Sequence, residues 1–345
     1  MKRIFAFAAL VAFASTGAAA QNSVEAFFKG RTLSLMVGFA PGGVNDISAR
    51  LVARHLPKYL PGNPSIAVQN QPSAGGLVTT NFIYNAAPKD GSVIASLDRG
   101  SSQLAIQGDP DAKFDPLKFT WFGSISSYAS DAYMLLVNAS HPARGVDDLR
   151  RPGSPVKLGA VGAGSSNLLF ALVAKEVLGL NVQVIRGYTG AAPMFLAMQS
   201  GELDGQVVGL SSTRAGQPDL WAKKLVRPLI QFGRTTRLPE LADAPTGREL
   251  AKDDEARALI AFAELPFFMA LPFAAPPGIP AERAKAFEDA FAAMVRDKTF
   301  IDEAEKLGLD VSPIDATALR DLIARSATTP KSVVAKYNEV LSPKR

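Results

Sequence analysis

The chain has 345 residues, 47% of them hydrophobic, and a formal charge of +5. These values suit one large or two medium soluble domains and give no basic run of the kind that holds nucleic acid. No cysteine is present, which excludes disulfide scaffolds, thiol nucleophiles and Cys-ligated metals.

Lys2 and Arg3 precede an apolar run from Ile4 to Phe13 and then Ala18-Ala19-Ala20, the pattern of a secretory signal cleaved near Ala20. The run is short for a bilayer, so the mature protein is expected to start near Gln21, exported and soluble.

The next element is a strand, Leu33-Ser34-Leu35-Met36-Val37-Gly38, followed by the turn Phe39-Ala40-Pro41-Gly42-Gly43-Val44-Asn45-Asp46. Ile47, Leu51, Val52, Leu56 and Tyr59 recur at helical spacing beyond it. Pro41 fixes the turn's entry, and Gly42 and Gly43 permit positive φ and leave backbone N–H groups uncovered. Asn45 or Asp46 is positioned to cap the helix. Uncovered N–H groups at a helix N-terminus attract anions, because orphan donors and macrodipole act together. The turn therefore reads as half of a carboxylate pocket.

Ser65 to Gln69 is a second strand, and Asn70-Gln71-Pro72-Ser73-Ala74-Gly75-Gly76 a second Gly-rich turn, leading into a helix from Leu77 to Ala87. Asp90-Gly91 turns the chain into strand Ser92 to Leu97. This is a βαβαβ unit with a parallel sheet, both Gly-rich turns lying at its carboxyl edge, where open α/β sheets bind ligands. Residues 100–131 read as irregular, with Trp121 and Phe122 packing on the first domain.

After a strand at Tyr133–Val137 and a loop to Pro155, the pattern restarts. Strand Val156–Val161 leads to Gly162-Ala163-Gly164-Ser165-Ser166-Asn167 and a helix ending at Gly179. Strand Val182–Ile185 leads to Arg186-Gly187-Tyr188-Thr189-Gly190-Ala191-Ala192 and another helix, and strand Gln206–Gly209 follows Asp204-Gly205. Further on come strand Leu229–Phe232, a helix from Arg248 to Glu264 and a strand-like Phe267–Leu271 broken by Pro272. A long helix follows Pro276-Pro277-Gly278-Ile279-Pro280, and two more run over Ala316–Arg325 and Lys331–Val340.

The expected fold class is α/β, with two doubly wound domains and a cleft between facing sheet edges. Lobe 1 is expected over 21–132 plus 272–345 and lobe 2 over 133–271, with hinge crossings near 131–137 and 267–275. The plainer reading makes those crossings edge strands of one continuous domain.

Neither nucleotides nor catalysis has visible machinery. No G-x-x-x-x-G-K-S/T occurs, and Asn167 stands where G-x-G-x-x-G needs its third glycine. His55 lies on a helix, His141 precedes a proline in a loop, and no G-x-S-x-G elbow accompanies them. Two isolated histidines make a poor metal site. Arg99 and Arg186 follow strands and are side-chain candidates, each weighed against surface ion pairing. Tyr188, in a Gly-flanked turn, is the better candidate. Asp204 reads first as the fixing residue of a helix-to-strand turn and second as a partner for a ligand amine.

The segments Val37-Gly38-Phe39-Ala40-Pro41-Gly42-Gly43 through Asp46, Val68-Gln69-Asn70-Gln71-Pro72, Ala87-Pro88-Lys89-Asp90-Gly91, Trp121-Phe122-Gly123-Ser124, Gly187-Tyr188-x-Gly190, Gly201-Glu202-x-Asp204-Gly205 and Ala275-Pro276-Pro277-Gly278-Ile279-Pro280 resemble, in combination, the periplasmic solute receptors of tripartite tricarboxylate transporters, the Bug receptors. The resemblance covers the mature chain. It implies a two-lobed periplasmic binding protein, type II-like, that closes on a small organic carboxylate and delivers it to the permease subunits of such a transporter. It implies no cofactor and no catalysis, and a monomer is expected. It places ligand contacts, largely backbone N–H groups, at Phe39 through Asp46 and Ser73 through Gly76, with second-lobe contacts at Gly162 through Asn167 and Tyr188 through Ala191. Ser73 departs from the family's more usual glycine. A periplasmic carboxylate sensor on the same fold, and an exported enzyme on it, are the alternatives.

Overall fold

The computed structural model describes residues 24–72, 74–162 and 165–342. The signal read over residues 1–20, and the candidate residues Ser73, Ala163 and Gly164, lie outside the described residues. The chain divides into two compact α/β units, and passes from one to the other after Ser127, Phe268 and Ala324.

In the first unit a short helix α1 (residues 24–28) precedes β1 (Thr32–Val37), α2 (Val44–His55), β2 (Ser65–Asn70), α3 (Leu77–Asn85), β3 (Val93–Ser96), α4 (Ser101–Gln107) and β4 (Thr120–Ser124). The second unit follows with β5 (Tyr133–Asn138), β6 (Val156–Ala160), α5 (Ser166–Leu172), β7 (Val182–Arg186), α6 (Ala191–Gln199), β8 (Gly205–Gly209), α7 (Leu210–Gly216), α8 (Pro218–Ala222), β9 (Val226–Phe232) and α9 (Asp254–Glu264). The chain then returns to the first unit with β10 (Pro272–Ala275), α10 (Ala281–Met294), α11 (Lys298–Lys306) and β11 (Ile314–Asp315). It ends with α12 (Ala316–Ala327), which carries it back to the second unit, and α13 (Lys331–Leu341).

The first sheet has the order β11-β4-β10-β3-β1-β2. β1 is parallel to both β2 and β3, as the βαβαβ pattern requires, while β10 and β11 add antiparallel pairs. Leu33, Leu35 and Val37 alternate along β1 and are fully buried, and they join Leu51 and Val52 of α2 and Phe287 and Phe291 of α10 in one core. Burying that single face fixes the register, because a one-residue slip would turn the apolar set to the other side. α2 is tied down at its far end too. His55 Nε2 meets Glu303 Oε2 of α11 at 2.6 Å, the imidazole stands edge-on to Phe300, and Arg54 pairs with the same carboxylate at 2.5 Å.

The second sheet has the order β7-β6-β8-β5-β9. β6 is parallel to β7 and β8, and β5 is antiparallel to β8 and β9. Gly205 is required at the start of β8, since a Cβ there would stand 2.2 Å from the Leu136 carbonyl oxygen.

Several expectations need correction. Residues 133–137 lie in β5, an inner strand of the second sheet rather than an edge strand, with Met134, Leu135 and Leu136 fully buried. Residues 265–269 form a 3-10 turn, and the return strand begins at Pro272 rather than ending there. Proline is tolerated at a strand's first position, where its carbonyl still accepts from Leu97 N–H at 3.1 Å. The segment 100–131 holds α4 and β4, too short for periodicity to betray them. α13 packs on α9 of the second unit, not on the first, through Val333, Tyr337 and Val340, with Tyr337 edge-on to Phe262. The chain thus crosses three times instead of two.

Glu264, fully buried at the end of α9, accepts from Gly233 N–H at 3.0 Å and from Arg248 Nε at 2.5 Å. Burial outweighs Arg248 and raises its pKa from 4.5 to about 7. The fold therefore favours the neutral acid, whose stabilisation is complete below about pH 4.5 and is lost as pH rises through about 7. Linkage at 1.36 kcal/mol per unit bounds that loss at about 3 kcal/mol. Denaturant unfolding between pH 5 and pH 8 should show Glu264→Gln gaining on the wild type as pH rises. A constant difference would contradict this assignment.

Candidate functional site

β2, β1 and β3 lie side by side and parallel, so their three carboxyl ends share one edge of the first sheet. The turns that leave this edge meet through glycine. A Cβ on Gly38 would stand 2.5 Å from the Gly76 Cα, so two backbones occupy the space a side chain would take. Gly76 has φ +89°, and a Cβ on it would meet the Phe39 ring and the Asp98 Cβ, both at 3.3 Å. Gly75, in the 3-10 turn Ala74–Gly76, also takes positive φ, at 62°. Only glycine combines this approach with these angles. The turns after β1, β2 and β3 therefore form one contiguous backbone surface.

α2 begins at Val44 with Gly43 as its cap, at φ −80° and ψ 168°, and no side chain caps it. Its first intrahelical bond runs from Ile47 N–H to Gly43 O. The N–H groups of Val44, Asn45 and Asp46 thus have no intrahelical acceptor. Residues 40–44 are exposed, and the donor end of the helix is open. This corrects the expectation that Asn45 or Asp46 caps the helix, and positive φ falls on Gly42 (86°) alone, not on Gly43.

Asp46 serves the turn instead. Its buried carboxylate takes Gly42 N–H at 2.8 Å, Arg50 Nε at 3.0 Å and Asn70 Nδ2 at 2.9 Å, while Asn70 also donates to Phe39 O at 3.0 Å. Burial alone would raise its pKa, but the bonds from Arg50, Gly42 and Asn70 prevail and bring it to about 2. Asn70 went unremarked as a site residue. Its signal was register: it pairs with Val37, the last residue before the turn.

The turn after β3 carries Asp98 and Arg99. Asp98 Oδ1 accepts from Gly100 N–H at 2.8 Å. Burial pushes its carboxyl above the usual range against the pull of the neighbouring Arg99 charge. Arg99, picked out from sequence, thus stands on the same edge as the two Gly-rich turns. Beneath them Thr80 Oγ1 donates to Gly76 O at 3.0 Å and lies 3.1 Å from Ser101 Oγ. Val44 and Val78, at the starts of α2 and α3, are both about half exposed (53% and 51%) and supply apolar surface beside the turns.

The second unit repeats the plan at the ends of β6 and β7, which are parallel with Ala160 opposite Arg186. Ser165 caps α5, its hydroxyl accepting from Leu168 N–H at 3.2 Å and donating to Gly162 O at 2.8 Å. Asn167 is buried, accepts from Val161 N–H at 3.0 Å and donates to Val207 O at 2.5 Å, so its amide ties the turn to the sheet. Ser166 is half-buried beside it. Tyr188 bonds through its N–H to Ala160 O at 3.2 Å and through its hydroxyl to Glu202 at 2.5 Å, which raises its pKa. Gly190 caps α6 in extended conformation, and Ala191 is its first residue. Asp204 accepts from Lys157 N–H at 2.8 Å and fixes the turn into β8. Arg186 is exposed. The side chains of Asp46 and Asn167 are engaged within the protein, and the turn before Asp46 is exposed over residues 40–44.

Removal of the Asp46 carboxylate strands Gly42 N–H, Asn70 and Arg50. Asp46→Ala should cost about 2 kcal/mol by chemical denaturation, in the range for partners left unsatisfied. Because the folded pKa is depressed, the Asp46 contribution is present above about pH 4 and lost as pH falls through about 2. An unchanged midpoint at neutral pH would contradict the clamp.

The family model described as the tripartite tricarboxylate transporter family receptor matches residues 48–338. A UPF0065 protein of Bordetella pertussis is 27% identical over 296 residues, 85% of each chain. Protein BugT of the same organism is 37% identical over 93 residues, 27% of each chain. Among solved structures, a TctC solute binding protein from Polaromonas is similar at TM-score 0.68 and 19% identity, covering 89% of this chain and 98% of that one. MatC from Rhodopseudomonas palustris, solved with malate, is similar at TM-score 0.59 and 19% identity over 90% and 99% of the two chains. An R. palustris protein solved with adipate is similar at 0.58 and 21%, over 90% and 96%. The chain belongs to the receptor family of the tripartite tricarboxylate transporters.

Proposed function

We propose that the protein is a periplasmic receptor that captures a small organic carboxylate and delivers it to the permease of a tripartite tricarboxylate transporter. Family membership supports this reading, as do the export signal read over residues 1–20 and the malate and adipate held by two proteins of similar fold. The observation that carries it is the backbone surface of the first unit. Gly38 and Gly76 pack without side chains beside an uncapped helix N-terminus with three N–H groups lacking intrahelical acceptors. Such donors bind carboxylate by charge-assisted hydrogen bonds, and the macrodipole adds to them.

Arg50 is held by Asp46, so the grip is dipolar rather than cationic. Val44 and Val78 offer contact to the hydrocarbon part of a ligand. Ser73, Ala74, Gly75 and Arg99 belong to the same proposed site, and Gly162 through Asn167 and Tyr188 through Ala191 are proposed contacts from the second unit.

The test is a thermal-shift screen of ligand-stripped protein against mono-, di- and tricarboxylates and aromatic acids. A ligand at one hundred times its Kd adds about 2.7 kcal/mol, enough to move Tm by several degrees. No stabilisation by any acid would sink the proposal. Gly43→Val gives the sharper arm. Gly43 has ordinary φ, and a Cβ there meets only Ala40 O at 3.9 Å, so the fold accommodates it. The larger side chain covers the donor end of α2, and affinity should fall at least tenfold. Wild-type affinity in that variant would mean the turn is only structural.

A further inference from the structure

The chain enters the second unit after Ser127 and leaves it after Phe268. On the second unit's side both crossings are tied to one turn, Gly233-Arg234, just beyond β9. Arg234 Nη1 donates to the carbonyls of Tyr128 and Ala129 at 2.9 Å and of Asp131 at 2.6 Å. Tyr128 takes φ 60°, a conformation that a bulky residue keeps only where its surroundings fix it. Its ring stands edge-on to Phe267, with 4.9 Å between centroids. Phe267 in turn lies against Gly233, where a Cβ would come within 3.1 Å of it. Glu264 holds this turn from inside. Its fully buried carboxyl accepts from the N–H groups of Gly233, at 3.0 Å, and of Arg234. The other oxygen meets Arg248 Nε at 2.5 Å, and the Arg248 guanidinium lies 5.4 Å from the Phe268 ring centroid. One ionisable group thus bonds both the turn that clamps the first crossing and the arginine that covers the second. Arg248 is the charged side chain acting on it. Neighbouring elements keep their charges engaged elsewhere: Glu249 bonds to Arg237, Asp131 to Ser211 and the Ala132 N–H, and Lys336 of α13, which packs on α9, to Glu339.

We infer that Glu264 is a proton-operated latch: protonated, it keeps the Gly233-Arg234 turn closed on both crossing segments, and ionised, it draws in water and lets residues 128–131 and 264–268 open locally. An ionised carboxyl gains hydration in any state that exposes it, whereas the neutral acid gains little. Closed, the group keeps its proton up to about pH 7, and opened, it loses it near the ordinary 4.5. Opening therefore becomes easier as pH rises from about 4.5 to about 7 and changes little above that. The same linkage acts on a local opening as on whole unfolding, provided the opening exposes the carboxyl. Every group in the latch belongs to the second unit, and the latch works without a ligand.

The experiment follows amide hydrogen exchange by NMR at pH 5 and pH 8, corrected for the intrinsic pH dependence of exchange, in the wild type and in Glu264→Gln. Glutamine keeps an acceptor for Gly233 N–H and cannot ionise. The reporters are the amides of Gly233 and Arg234, bonded to Glu264, and of Asp131, bonded to Tyr128 O. The reference is β6, held between β7 and β8 in the same unit. In the wild type, protection of the reporters should fall about tenfold more than that of β6 as pH rises. In Glu264→Gln the difference should shrink below about threefold. Equal loss in β6 would mean that Glu264 sets the unit's overall stability and that no local latch exists. The same fall in Glu264→Gln, or no fall in the wild type, also overturns the inference. If the variant does not fold, the wild-type contrast between the reporters and β6 decides alone.

Discussion

The contact on which the first unit's site depends is backbone against backbone. Gly38 follows β1 directly and Gly76 caps α3, and no room for a side chain exists between them. That closeness brings the turns after β1 and β2 together, and Asp98 after β3 closes on the same glycine. A parallel sheet puts such turns on one edge by topology. Glycine decides whether they remain separate loops or become one surface. Packing of Leu33, Leu35 and Val37 beneath keeps the strand ends level, so core burial holds the turn geometry in place.

Electrostatics follow from the same arrangement. A site built for anions usually carries an arginine or lysine, yet here Arg50 is neutralised within hydrogen-bonding distance by Asp46. What stays open is an exposed helix end whose first three N–H groups have no intrahelical acceptor. Dipolar donors fixed by the backbone are already oriented before a ligand arrives, and they ask little of its far end. In the proposed receptor such a grip would serve many carboxylates equally. Selection would then fall to side chains around it, among them in the first unit Phe39, Val44, Val78 and Arg99.

The architecture was legible because its signals were long-range regularities. Strand, Gly-rich turn and helix recur twice in order, and apolar spacing marks α2 and α10 clearly. Short elements escaped. β4 and α4 are five and seven residues long, below the length at which periodicity separates strand from loop. Pro272 was read as a breaker when it opens a strand whose pairing it does not disturb. α13 shows an ordinary amphipathic stripe, and nothing in such a stripe names the surface that covers it. Glycine positions marked the turns that meet at the sheet edge, but the roles of polar residues were harder. Asp46 and Asn167 look like ligand contacts in sequence and are tethers in the structure, a distinction that depends on hydrogen bonds to residues 24 and 40 positions away. Asp98 lay beside the chosen Arg99, but its relation to Gly76 spans 22 residues of chain and needed the fold to reveal it.

The central claim is that the backbone N–H groups at the start of α2 take the ligand's carboxylate. An NMR titration of the backbone amides with a bound carboxylate tests it most directly. The account predicts that the amide resonances of Val44, Asn45 and Asp46 move along one saturable curve, with those of Gly75 and Gly76 following. Saturable binding of the acid with these resonances unmoved would contradict it.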